Sequence, residues 1–198
     1  MKTSIAHQIL SSASTLFYRE GIRAVGIDRI IEEANVAKAT LYRHFPSKDH
    51  LVAAYLQDRH ERVLRSLHDV LTTVGPPRHQ VAAIFLRLHE KADSPEFRGC
   101  AFALAVAEHG GSERVTTIAR THKAAVGDIF RRILGPVTAA PEQPAAHLAL
   151  LYEGALSTVA VGRDPQAVLV ACDCALSVFD AAISPGLQTR NLHERESA

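Results

Sequence analysis

Apolar residues recur along this chain at three- and four-residue spacings, with polar residues between them. Ile5, Ile9, Ala13, Leu16 and Phe17 form one stripe, Ile27, Ile30, Ile31 and Ala34 a second, and Leu41 with Phe45 a narrow third. Spacings of i, i+3, i+4 and i+7 predict one-sided helices. Ser4 suits the start of the first helix, and Gly21 after Glu20 suits its end. Asn35 tolerates the left-handed conformation of a tight helix end, and Asn35-Val36 leaves room only for a turn between two angled helices. The pattern therefore predicts a helix-turn-helix with Ala37–Phe45 as the recognition helix, closed by the first helix into one small core.

Longer stripes follow. Leu51, Val52, Tyr55, Leu56, Arg59, Val63, Leu67 and Val70 lie along one side of a helix predicted from Ser47 to about Thr73, a span of ~40 Å at 1.5 Å per residue. Gly75-Pro76-Pro77 stops it and opens a helix carrying Val81, Ile84, Phe85 and Leu88. Phe97–Glu108 is apolar nearly all round, which predicts a helix buried on most sides. Ser112 caps a helix with Val115, Ile118, His122, Val126, Ile129, Phe130 and Ile133, and helices over Ala145–Val161 and Pro165–Ile183 close the pattern. Asp164 before Pro165 is a cap followed by a first-turn proline. No strand alternation of useful length interrupts the array. The reading is all-α: a three-helix module at 1–46, a larger helical domain at 47–184, and a polar tail at 185–198 expected to be flexible.

Composition narrows the classes. A hydrophobic content of 47% supports a substantial core, and a net charge of +1 excludes a general polycation. A specific DNA binder needs only a local basic face. The start of the chain carries no signal-type apolar run, and no stretch reads as approaching the ~18 apolar residues of a membrane span. A soluble, cytoplasmic protein without a membrane partner is expected. Three cysteines, an odd number, argue against a disulfide framework, and Cys172 and Cys174 stand two apart on a helix, pointing about 200° from each other. His89, His109 and His122 fall on or beside three different helices and can meet in space, but no HxxxH or CxxC spacing supports a metal site. No metal and no cofactor are expected.

Candidate chemistry concentrates on the short third helix. Lys38, Thr40, Tyr42, Arg43 and His44 cover its polar face, and no acid interrupts the run from Ala34 through Lys48. Cations, a hydroxyl and an interleaved aromatic suit phosphates and base edges. Lys38 and Lys48 each stand in the first turn of a helix, where the dipole disfavours a cation unless an anion completes the site. Ser47 as cap and Lys48 beside it make a phosphate seat at the start of the long helix. Tyr42 suits a phosphate through its hydroxyl, and Thr40 a thymine methyl, a base edge or a phosphate. Arg43 and His44 are candidates that also fit as solvated residues. Arg29 reaches either DNA or a surface pair with Asp28 or Glu33.

Three segments taken together, Phe17-Tyr18-Arg19-Glu20-Gly21, Gly26-Ile27-Asp28-Arg29-Ile30-Ile31 and Asn35 through Leu51 with its Thr40-Leu41-Tyr42-Arg43-His44-Phe45 centre, resemble the DNA-binding domain of the TetR family. The resemblance covers roughly the first quarter of the chain. Gly26 and Ala37 depart from the Thr and Ser common in the family, which puts one phosphate contact per half-site in doubt. The resemblance implies a homodimer on an operator in double-stranded DNA, typically a repressor, released when a small-molecule effector binds the larger domain. It implies dimerisation through a four-helix bundle of the last two helices. Leu148, Leu151, Gly154, Ala155, Thr158, Leu169, Cys172, Leu176 and Phe179 are the candidate interface, with Gly154 and Thr158 keeping one side small. Phe85, His89, Phe97, Cys100, Ala103, His122, Val126, Phe130 and Tyr152 are candidate pocket residues, a set that equally describes a core without a cavity. A small helical enzyme and an architectural DNA protein that answers to no ligand stay open beside this reading. Hydrolase elbows and zinc-protease spacings are absent.

Overall fold

A computed structural model describes residues 4–184. The tail expected at 185–198 lies outside the described residues. Among them are nine helices and no strand: α1 (Ile5–Glu20), α2 (Ile27–Ala34), α3 (Lys38–His44), α4 (Lys48–Thr73), α5 (Pro77–Ala92), α6 (Ala101–His109), α7 (Glu113–Leu134), α8 (Glu142–Gly162) and α9 (Gln166–Ile183). The helix ends follow their caps. The Ser4 hydroxyl accepts from the His7 N–H at 3.2 Å, and Ser47 and Ser112 do the same for His50 and Val115. Asn35 ends α2 at φ 47°, in the left-handed region. The Asp164 carboxylate accepts from the Gln166 N–H at 2.9 Å, so the cap works from just ahead of Pro165.

Burial divides into two clusters. The first joins Ile9, Leu16, Phe17, Ile30, Ala34 and Leu41 of α1–α3. It continues through Leu51, Val52, Tyr55 and Leu56 of α4, Ala101, Phe102 and Ala105 of α6, and Val115 and Ala119 of α7. The three-helix core therefore runs past residue 46 and takes in the first turns of α4. The second cluster gathers α5, α8, α9 and the far parts of α4 and α7. At its centre Phe85, Phe130 and Tyr152 pack ring against ring, with centroids 6.0–6.3 Å apart.

Two expectations need correction. The segment from Phe97 does not form one all-round buried helix. Its first residues are tied down as a connection: Tyr18 Oη accepts from the Arg98 N–H at 2.9 Å and donates to the Gly99 carbonyl at 3.2 Å, and the Arg163 guanidinium donates to the Phe97 carbonyl at 2.6 Å. Gly99 stands at φ 81°, where a Cβ would lie 2.8 Å from the Ala160 Cβ and 2.9 Å from the Leu156 carbonyl oxygen. The helix proper, α6, buries Ala101, Phe102 and Ala105 and leaves Leu104 and Val106 exposed. The second correction concerns membrane-length apolar segments. By length and composition alone, α8 and α9 qualify, because small apolar residues dominate both. Much of their surface is exposed.

His122 is the one buried polar side chain among the described residues. Its ring stacks on Phe102 at 3.7 Å, and its Nδ1 lies 3.2 Å from Nδ1 of His60 on α4. Burial, then the neighbouring His60, Lys123 and Arg59, push its pKa down to about 3 from the ordinary 6.5. The unfolded chain thus takes up a proton at His122 that the fold refuses. Stability from this residue is present above pH 6.5 and is lost as pH falls from there toward 3. Denaturant titrations at pH 7 and pH 4.5 should show His122→Phe losing less stability than wild type between the two, by about 2 kcal/mol. Equal losses would contradict the assignment.

Candidate nucleic-acid interface

The recognition helix is exposed because so little of it is apolar. Leu41 is fully buried and Phe45 half-buried, which anchors α3 to α1 and α2. Lys38, Tyr42, Arg43 and His44 point to solvent, while Thr40 is half-buried. The turn before α3 is fixed from both sides. The N–H groups of Asn35 and Val36 return to the carbonyls of Glu32 and Ile31 at 3.1 and 3.2 Å, and the Gln8 side chain donates to the Ala34 carbonyl at 2.7 Å. Ala37 caps α3 with its backbone alone: its carbonyl accepts from Thr40 and Leu41, and no side chain meets the first-turn N–H groups.

The cations are not equally free. Arg29 bonds Glu32 and Glu33 along its own helix, both at 3.3 Å, which is the surface-pair alternative with Glu32 added. Asp28 pairs instead with Lys38 at 3.2 Å. Lys48 is half-buried beside the Ser47 cap. Burial lowers its pKa, and the neighbouring Glu108 carboxylate offsets part of that.

Sequence reading missed the contacts that bind this module to the rest of the subunit. The corner between α6 and α7 grips it twice. Glu108 accepts from the Arg23 N–H at 2.8 Å, and the Arg23 guanidinium donates to the Glu108 carbonyl at 3.3 Å. Asp49, next to Lys48, meets His109 Nε2 at 3.2 Å and Arg114 Nε at 3.4 Å. A hydrogen bond from Ser112, joined by His109 and Arg114, holds the Asp49 carboxyl below its usual range against the opposing effect of burial. Asp49 lies within the motif and Ser112 was read as a cap, but sequence spacing does not say that Asp49 meets His109 and Arg114 or that Glu108 meets Arg23.

The larger domain redistributes the other candidates. Phe85, Val126, Phe130 and Tyr152 are buried against one another, and Phe97 is buried in the α5–α6 connection. His122 faces His60, and Lys123 Nζ donates to Cys100 Sγ at 3.0 Å while pairing with Glu153. His89 buries its Nε2 without a partner, and His109 is engaged by Asp49, so the three histidines do not meet. Ala103 is a correction: it is exposed, because α6 turns Phe102 inward instead.

The candidate interface residues also divide. Leu148, Ala155, Cys172 and Phe179 are buried inside the subunit, because they continue the stripes that face α5 and α7. Leu151, Leu169 and Leu176 are half-buried, and Gly154 and Thr158 are exposed. The outward stripe is offset from the inward one: Leu150, Gly154 and Thr158 on α8 with Val170 and Cys174 on α9 line an apolar groove of about 670 Å³. Cys172 and Cys174 do face opposite ways, one buried and one exposed.

Residues 9–55 match the family described as bacterial regulatory proteins, tetR family. Among curated relatives, the HTH-type transcriptional activator FasR of Mycolicibacterium smegmatis is 36% identical over 76 residues, covering 38% of this chain and 35% of FasR. The HTH-type transcriptional repressor KstR2 of the same species is 26% identical over 83 residues, covering 42% of this chain and 40% of KstR2. The chain thus aligns with well under half the length of either. Among solved structures, a TetR-family transcriptional regulator from Streptomyces coelicolor is 32% identical, covers 92% of this chain and 98% of its own, and superposes with a TM-score of 0.85. A tetR-type regulator from Streptomyces avermitilis follows the same fold at 26% identity and a TM-score of 0.79, covering 91% and 98% of the two chains.

If α3 carries the DNA face as the sequence predicts, Lys48→Ala should weaken binding to all duplexes alike and flatten the salt dependence by about 0.9 for each phosphate it no longer neutralises. Substitution of Thr40 should shift the preferred bases instead. Selection from random DNA by each variant checks the division, and a changed base preference for Lys48→Ala alone would reverse it.

Proposed function

We propose a function from the premise that this chain belongs to the TetR family of transcriptional regulators and binds DNA: it acts as a homodimeric repressor that a small-molecule effector releases from its operator. One recognition helix per chain carries the reading. In the proposed complex Lys38 and Thr40 meet base edges, Tyr42 and Lys48 meet phosphates, and Arg29, Arg43 and His44 border them. A single helix-turn-helix reads only a few base pairs, so two are needed, about one helical turn or ~34 Å apart.

The apolar groove along α8 and α9 supports a second copy as its cover. A monomer that left Leu150 and Val170 at 69% and 64% exposure would present a continuous apolar face to water. The repressor polarity is supported by the relative KstR2, a repressor by name, and the activator FasR is the opposite reading.

Release requires an effector that binds the non-DNA arrangement more tightly, since equal affinity for both arrangements shifts nothing. The α6–α7 corner supports such a path. It reaches the core of the larger domain along α7, through Val126 and Phe130, and touches the DNA module through Glu108 and Asp49. Linkage then demands that operator weaken effector binding by the same factor, about 5–150-fold.

Two measurements test the proposal. Footprinting should give two protected half-sites related by a dyad, and one undivided patch bound by monomers would overturn the dimer. Once an effector is found in the larger domain, its affinity should fall when saturating operator is present. Equal affinities with and without operator would overturn release by that compound.

A further inference from the structure

Lys38 is placed against its own helix. It stands in the first turn of α3, where the helix dipole is positive, and Ala37 supplies no side chain to offset it. The group that faces it belongs to another helix: Nζ donates to Oδ1 of Asp28, in the first turn of α2, at 3.2 Å. The pair is open to solvent, with side-chain exposures of 63% and 85%, so it adds little to stability. Arg29 is held differently, by Glu32 and Glu33 of its own helix. Among the described residues, Lys38 is the cation of α2 and α3 that a carboxylate of the neighbouring helix holds.

The chemistry of the ammonium group turns this pair into a question of selectivity. Lysine has three N–H donors. One given to Asp28 leaves two for acceptors in the groove, such as the O6 and N7 edge of guanine, and the two contacts are compatible. A backbone phosphate makes a different demand. To take Lys38 it must compete with a carboxylate, and that carboxylate is itself repelled by the phosphate it is brought near. Asp28 thus leaves base readout by Lys38 intact and opposes its capture by the DNA backbone.

We propose that Asp28 is a specificity-determining residue, which holds Lys38 toward base edges and withholds it from phosphates. This rests on the reading that Lys38 faces the DNA groove. Asp28→Asn keeps the shape and removes the charge. The test compares a duplex selected by the wild-type protein from random DNA with a scrambled duplex of the same length and composition.

Asp28→Asn should bind the scrambled duplex about two- to fivefold more tightly, with a salt slope steeper by about 0.9 per subunit. The selected duplex should gain less, so the ratio of the two affinities falls, while Asp28→Glu keeps the wild-type ratio. In a Lys38→Ala background, Asp28→Asn should have no such effect. Equal gains, equal losses or no change on the two duplexes would overturn the proposal. Lys38→Ala run in parallel separates the causes. If it leaves both affinities unchanged, the groove assignment of Lys38 has failed. If it weakens binding but Asp28→Asn leaves the ratio intact, only the role of Asp28 has failed.

Discussion

The first turns of α4 are buried in one core and its far half in another. Leu51, Val52, Tyr55 and Leu56 complete the three-helix module, while Leu67 and Val70 pack with α5 and the larger domain. One continuous helix of 26 residues therefore carries two hydrophobic surfaces, and neither can move without a change at the other. Close-packed interiors answer such a constraint by shifting whole elements rather than by deforming. The module at the DNA end is accordingly not a bead on a tether. It shares its core with α4, α6 and α7, and its orientation is set by the same contacts that hold those helices together.

Polar contacts refine what burial starts. Glu108 and Asp49 each take hydrogen bonds across the joint, and Tyr18 and Arg163 fix the connection from Phe97 to Gly99 that leads into α6. These groups are exposed or partly buried, so each contributes modestly. Their value lies in geometry. They fix the angle at which α6 meets the module, which apolar packing alone leaves loose.

Most of the helical order was legible in the sequence because it depends on local rules. Ser47, Ser112 and Asn35 sit where their side chains or backbone preferences terminate helices, and the structure uses each of them that way. The inward stripes of α4, α5 and α7 followed from spacing. The mistakes came where spacing carries no information about what lies opposite. On α8 and α9, inward and outward stripes are both apolar, so Leu148 and Phe179 could not be told from Leu150 and Val170 by pattern. Phe97–Cys100 had helical composition, but Tyr18 and Arg163 claim its backbone groups from 60 residues or more away in sequence. The polar face of α3 was legible as a unit, whereas the pairing of Lys38 with Asp28 depends on the angle between two helices.

Gly21 makes the joint between module and body unusually unforgiving. Its backbone lies at φ 93°, and the place where a Cβ would go is 3.0 Å from a carboxylate oxygen of Glu108. That carboxylate is the one that holds Arg23. Position 21 is therefore both a helix terminator and a clearance between α1 and the Glu108 side chain of α6. The residue at this site is limited twice over, by chain conformation and by the Glu108 carboxylate 87 residues away. A side chain at this position would have to adopt a left-handed backbone and displace the Glu108 carboxylate, loosening its hold on Arg23.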